Sequence, residues 1–243
     1  MMAANYRRAP LVEAVIEFRL KDHLGSSDLG RVERRYARAN WKSEDLVEFS
    51  VTLVGEPVSP LHRKVGRRFT SADGSEVVHV TESTIGLSAL APYPGWDSYL
   101  ERMKKVYRDW RKLVGRSHLS RVGVRYVNRI DIPAPDRAIV SIDEYLTFTS
   151  NKPKIMDAPL RGWSQQVNGG ILADKISVNL AASTVESPLI DHVSVNLDID
   201  VFSEMVDVPQ SDDDIWTLVE LIRQRRTEIF EACMTDKLRD LIS

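Results

Sequence analysis

Leu119 to Pro133 reads L-S-R-V-G-V-R-Y-V-N-R-I-D-I-P, and its two-residue period is that of a long β-strand. Val122, Val124, Tyr126, Ile130 and Ile132 fall on one face with Asn128 as a single polar interruption, while Arg121, Arg125, Arg129 and Asp131 fall on the other. A second stretch of the same kind opens the chain. In Leu11 to Leu20, L-V-E-A-V-I-E-F-R-L, Val12, Ala14, Ile16, Phe18 and Leu20 alternate with Glu13, Val15, Glu17 and Arg19. Two long strands with complementary charged faces, each starting one half of the chain, imply a duplicated sheet domain.

Working outward, the first strand is followed by a helix that Ser26 or Ser27 can cap, with Leu29, Val32, Tyr36 and Ala39 on its apolar side. Strands are expected at Val47–Leu53, Arg67–Ala72, Glu76–Thr81 and Thr84–Leu90, with a loop leading into the second of them. Asp73-Gly74-Ser75 forms a hairpin turn in which Gly74 supplies positive φ. Ala91-Pro92-Tyr93-Pro94-Gly95 halts this meander, because two prolines cannot donate to a ladder. Asp97 or Ser98 can then cap a long helix with Leu100, Met103, Val106, Tyr107, Trp110, Leu113 and Val114 on its stripe and Gly115 at its stop.

The second half repeats the order. The central strand precedes a short helix near Ile142–Phe148, a connection bearing Pro153 and Pro159, and strands near Trp163–Val167, Ile171–Ala181 and His192–Val201. Gly169-Gly170 reads as a turn or bulge. The last strand has an acidic polar face, Asp198 and Asp200 among it. Ser211 caps a helix whose acidic first turn, Asp212 to Asp214, suits the positive end of the helix dipole. Thr235 or Asp236 caps a short final helix. The expected fold is α+β: two strand-helix-meander-helix units, about 1–118 and 119–243, within one domain. They form an antiparallel sheet or partly closed barrel with two long helices packed on it.

The 243 residues, 43% hydrophobic and 28% charged, suffice for a large core without staples. Lone Cys233 can form no internal disulfide and reads as a small buried hydrophobe. No run of 18 apolar residues occurs and the first residues, M-M-A-A-N-Y-R-R, have no apolar segment behind their charges, so a cytoplasmic protein is expected, with no membrane partner. Up to Ile139 there are 24 Lys and Arg against 17 Asp and Glu, and from Val140 onward 9 against 18. Halves of opposite charge can attract each other, a second copy or an anionic partner.

Four segments, Ala9–Leu20 (A-P-L-V-E-A-V-I-E-F-R-L), Ala91–Tyr99 (A-P-Y-P-G-W-D-S-Y), Arg121–Pro133 and Ile229–Ile242 (I-F-E-A-C-M-T-D-K-L-R-D-L-I), resemble the bacterial family known as "sporadically distributed protein". The resemblance spans nearly the whole chain in order. It brings no catalytic residues to carry over, and the family's scattered occurrence implies mobile or defence-linked cargo.

Chemistry-bearing motifs are sparse. The five histidines lack metal-ligand spacing, and no phosphate loop, dinucleotide fingerprint or hydrolase elbow occurs, so no catalytic residue, metal or cofactor is expected. The candidate ligand-binding residues are Glu13, Glu17, Arg121, Arg125 and Arg129. On adjacent strands they form either an ion-pair ladder or a groove binding phosphate or carboxylate. The first strand is loosely similar to the E-x-E-x-K strand of triphosphate-tunnel enzymes, but Val15 and Arg19 replace the first Glu and the Lys. A second candidate, for nucleic acid, is the basic helix side Lys104, Lys105, Arg108, Arg111 and Lys112 with Arg63, Lys64, Arg67 and Arg68. Three readings follow: a non-catalytic interaction protein, a homodimer or the partner of a genetically linked protein; a domain for an anionic small molecule; and a nucleic-acid binder.

Overall fold

The computed structural model describes residues 6–50, 61–115, 117–137, 139–148, 162–204 and 208–243. Among the described residues nine strands form one antiparallel sheet: β1 Leu11–Leu20, β2 Lys42–Ser50, β3 Leu61–Thr70, β4 Glu76–Thr81, β5 Thr84–Leu90, β6 Leu119–Pro133, β7 Ser164–Ile171, β8 Ile176–Val185 and β9 His192–Ser203. Their order is β2-β3-β4-β5-β1-β6-β9-β8-β7, so the sheet does not close and β2 and β7 are its edges. The two strands singled out in the sequence lie side by side at its middle, with Ala14 opposite Tyr126 and Glu17 opposite Gly123.

Among the described residues there are four α-helices: α1 Ser26–Ala37, α2 Trp96–Val114, α3 Asp212–Cys233 and α4 Asp236–Ile242. They gather on one side of the sheet because that side carries the apolar alternation of every central strand. Ala14, Ile16, Phe18, Val122, Val124, Val195, Leu197, Ile199 and Val201 are all buried there. Helix α3 lies across β6 and β9, and α2 lies over β5 beside α1. The two long helices meet above Phe18, whose ring stands 4.8 Å from Tyr107 of α2 and 5.6 Å from Trp216 of α3. Asn128, the polar interruption of β6, is 2% exposed and donates through Nδ2 to the Leu197 carbonyl at 3.1 Å, which satisfies its burial.

Several boundaries move. Strand β2 begins at Lys42 rather than Val47, and β3 already starts at Leu61, inside the stretch read as a loop; residues 51–60, including the end of the expected Val47–Leu53 strand, lie outside the described residues. Gly25 and Gly95 occupy the N-cap positions of α1 and α2, one to three residues before the expected side-chain caps. Ser211 and Thr235 cap as expected, accepting from the amides of Asp214 and Leu238. Gly169 and Gly170 run within β7 instead of forming a turn, and only Ile142–Glu144 of the expected short helix is helical, as one 3-10 turn. The connection bearing Pro153 and Pro159 lies outside the described residues. Gly74 takes φ of 74° in the β3–β4 hairpin, as that turn requires.

Arg226 is the least expected core residue. It stands on the buried side of α3 with its guanidinium 3.7 Å from the centre of the Tyr126 ring. Burial lowers its pKa, and the Tyr126 and Tyr93 rings act against that shift. Its Nη2 donates to Thr227 Oγ1 at 3.1 Å, and no carboxylate forms an ion pair with it among the described residues.

Candidate functional site

Among the described residues no helix lies on the opposite side of the sheet, and the charged residues of β1 and β6 lie there. Their arrangement differs from a simple β1–β6 ladder. Arg121 folds back along its own strand over Gly123, which gives it room: a Cβ at Gly123 would stand 2.6 Å from Arg121 Nη1. From there the guanidinium donates to Glu17 Oε1 of β1 at 3.0 Å and to both oxygens of Asp200 of β9 at 2.8 and 2.9 Å. It also stacks 4.2 Å from the centre of the Phe202 ring. Only 5% of Arg121 remains exposed.

The network continues both ways. Glu17 Oε2 lies 3.4 Å from His79 Nε2 of β4, whose imidazole occupies the space above Gly86 of the intervening strand β5. Asp200 Oδ2 accepts from Asn179 Nδ2 of β8 at 3.3 Å. A continuous chain of polar contacts, His79–Glu17–Arg121–Asp200–Asn179, thus runs from β4 to β8. Burial opposes ionisation of Glu17, yet the His79 hydrogen bond and the charges of His79, Arg121 and Arg19 outweigh it and bring the carboxyl down to about 2. For Asp200 the balance falls the other way. Burial raises its pKa despite the charge and hydrogen bonds of Arg121 and the hydrogen bond of Asn179.

The remaining candidates disperse. Arg125 makes a bidentate pair with Asp198 of β9 at 2.6 and 2.8 Å, and its pKa is raised chiefly by that hydrogen bond. Arg129 turns to Asp131 of its own strand at 3.1 Å, and Ser194 Oγ donates to the same carboxylate. Glu13 forms no ion pair with any of the three arginines. The expected confrontation of Glu13 and Glu17 with all three arginines therefore reduces to one contact, Glu17–Arg121, because Asp200 and Asp198 of β9 take Arg121 and Arg125 and Asp131 of β6 itself takes Arg129. Asp198 and Asp200 were visible as an acidic alternation; that β9 would neighbour β6 was not. His79 carried no local signal at all.

Between β3 and β6 this face holds a concavity of 420 Å³, bordered by Arg68, His79, Glu13 and Arg125 and floored by Val15 and Ser88. Among the described residues Arg68 has no carboxylate partner, and no group of three or more metal-ligating side chains gathers anywhere. The other candidate surface, on α2, is substantially neutralised: Lys104 pairs with Glu101 at 2.8 Å, Lys105 with Asp109 at 3.0 Å, and Arg111 with Asp212 at 3.7 Å. Arg108 and Lys112 are exposed and without acidic partners among the described residues.

The two glycines give a direct test of how the network is built. A Cβ at position 86 would lie 2.1 Å from His79 Cε1, so Gly86→Ala must expel the imidazole from its place beside Glu17. We expect a loss of about 1–3 kcal/mol in denaturant unfolding, typical of overpacking, together with a rise in the Glu17 carboxyl pKa followed by NMR. An unchanged Glu17 titration would mean that His79 does not hold it.

No family model and no curated protein matches the chain. Among solved structures it is similar to Methanococcus jannaschii TBP, with 9% sequence identity, coverage of 91% of this chain and 99% of that chain, and a TM-score of 0.30. No helix among the described residues is long and apolar enough to cross a membrane.

Proposed function

We propose that this is a non-catalytic binding protein that offers the charged side of its sheet to another protein. The observation behind this reading is that Arg121, Arg125 and Arg129, the groups suited to seize an anion, are each already held by a carboxylate of the same chain. A phosphate would have to displace Asp200, Asp198 or Asp131 to enter, and the gain would be offset by the charge left behind. A broad, charge-balanced polar surface suits recognition that depends on matching pairs of charges. The resemblance to the sporadically distributed family points to a genetically linked bacterial partner. The strand order supports a duplicated layout, since the first strand of each half lies at the middle and the others run outward.

Purified protein is expected to give no heat on titration with pyrophosphate or ATP and no phosphoester turnover. Turnover that disappears in Glu17→Ala or Arg125→Ala would reject the proposal. One observation favours a second reading, an anionic small-molecule site: Arg68 borders the 420 Å³ concavity and, among the described residues, forms no ion pair. Under that reading the same titration gives heat that Arg68→Ala abolishes. Nucleic acid ranks third, since three of the five basic residues on α2 are paired to acids.

A further inference from the structure

The two sheet edges are unlike. Strand β2 carries Lys42, Glu44, Asp45 and Glu48, and its register with β3 slips between Leu46 and Val47. Charge and a bulge of this kind discourage edge-to-edge pairing. Strand β7, S-Q-Q-V-N-G-G-I, has no charged residue and no proline, and it pairs with β8 in unbroken register from Ser164–Ser183 to Ile171–Ile176. Among the described residues no strand pairs with its outer side.

The hydrogen-bond phase of that outer side follows from one contact. The Trp163 carbonyl accepts from the Thr184 amide at 2.9 Å, so odd-numbered residues of β7 turn their backbone groups to β8. The N–H and C=O of Ser164, Gln166, Asn168 and Gly170 then point outward as an evenly spaced set of donors and acceptors. Val167 lies between them, aligned through Leu180 with buried Ile199 on the helix side, yet 47% exposed.

We propose that β7 is a self-association strand that pairs antiparallel with β7 of a second copy of this chain across a two-fold axis at Val167. That register sets Ser164 against the partner's Gly170 and Gln166 against the partner's Asn168, so every outward backbone group from Ser164 to Gly170 finds its complement. It also places Val167 on the partner's Val167, covering an apolar side chain that the single chain leaves half exposed. A two-fold axis opposes like with like, and a strand without charge is the kind that tolerates this. The result is one sheet continuous through two copies. It rests on the edge, independently of what the sheet face binds.

Solution mass measured by light scattering over a concentration series tests it, with twice the chain mass of 27.6 kDa expected. Val167→Lys opposes two ammonium groups at the axis and is expected to give the single-chain mass with unchanged circular dichroism. Val167→Cys is expected to form a covalent dimer under mild oxidation, whereas Leu172→Cys, 93% exposed but beyond the paired segment, is not. The only native thiol, Cys233, is buried and does not compete. A single-chain mass at all concentrations would overturn the proposal, as would a dimer that survives Val167→Lys or cross-links equally through both cysteines.

Discussion

Replacing Arg121 by alanine is expected to cost about 3–5 kcal/mol of folding stability, read as a lowered midpoint in urea or guanidinium unfolding. The side chain is almost wholly buried and lies between Glu17 and Asp200, which are themselves 24% and 18% exposed. Its removal leaves two carboxylates facing each other with little water to solvate them. The comparison with Arg125→Ala makes the prediction sharp. Arg125 has an equally close pair with Asp198, but its side chain is 51% exposed, so water and salt screen the interaction and a change of about 1 kcal/mol or less is expected. Equal losses in the two variants would show that burial is not what distinguishes them. Arg121→Met tests the reasoning from the other side, since it fills the site with an apolar side chain yet deprives the same two carboxylates of their shared guanidinium.

Acid should weaken the protein through Glu17. A carboxyl held at about 2 when folded, against an ordinary value of 4.5, binds its proton more readily in the unfolded chain. Its contribution to stability is therefore complete above pH 4.5 and is lost as pH falls through about 2; a gap of this size corresponds to about 3 kcal/mol. Asp200 works in the opposite sense. Its folded pKa is raised above 3.8, so it favours folding when protonated and that benefit is lost as pH rises through its folded value. Urea unfolding followed from pH 5 to pH 2 should show a steeper loss in the wild-type chain than in Glu17→Gln. Parallel curves would exclude Glu17 as the acid-sensitive group.

The strands at the centre of the sheet were legible because each keeps an apolar alternation over ten residues or more, broken in β6 only by Asn128, and Ala14, Ile16, Val122 and Val124 are buried as that pattern requires. The pairing of β1 with β6 also followed from their complementary charges, although most of those charges found other partners. What the alternation could not convey was which strand flanks β6 on its far side, and so the acids of β9 that hold Arg121 and Arg125 are not evident from it. Long side chains add to this difficulty: Arg121 reaches over Gly123, so its contacts are displaced from its own register position opposite Arg19. Arg226 was overlooked for a different reason. It sits four residues after Ile222 and four before Phe230, within the apolar stripe of α3, where a guanidinium stacked on Tyr126 does the work of a hydrophobe.

The position of β1 and β6 decides how this polypeptide may be divided. A cut near Gly115, between the halves, separates two strands that are each buried on one side and that share Arg121 and Glu17 across their seam. Either fragment alone would expose a long, newly unpaired β edge together with an orphaned acid or guanidinium. Separating the polypeptide at its midpoint, as a truncation or a split reporter does, is therefore ill suited to this fold, whereas the tip of the β3–β4 hairpin at Ala72–Asp73, exposed and separated from β1 by β5, is the place to insert a tag.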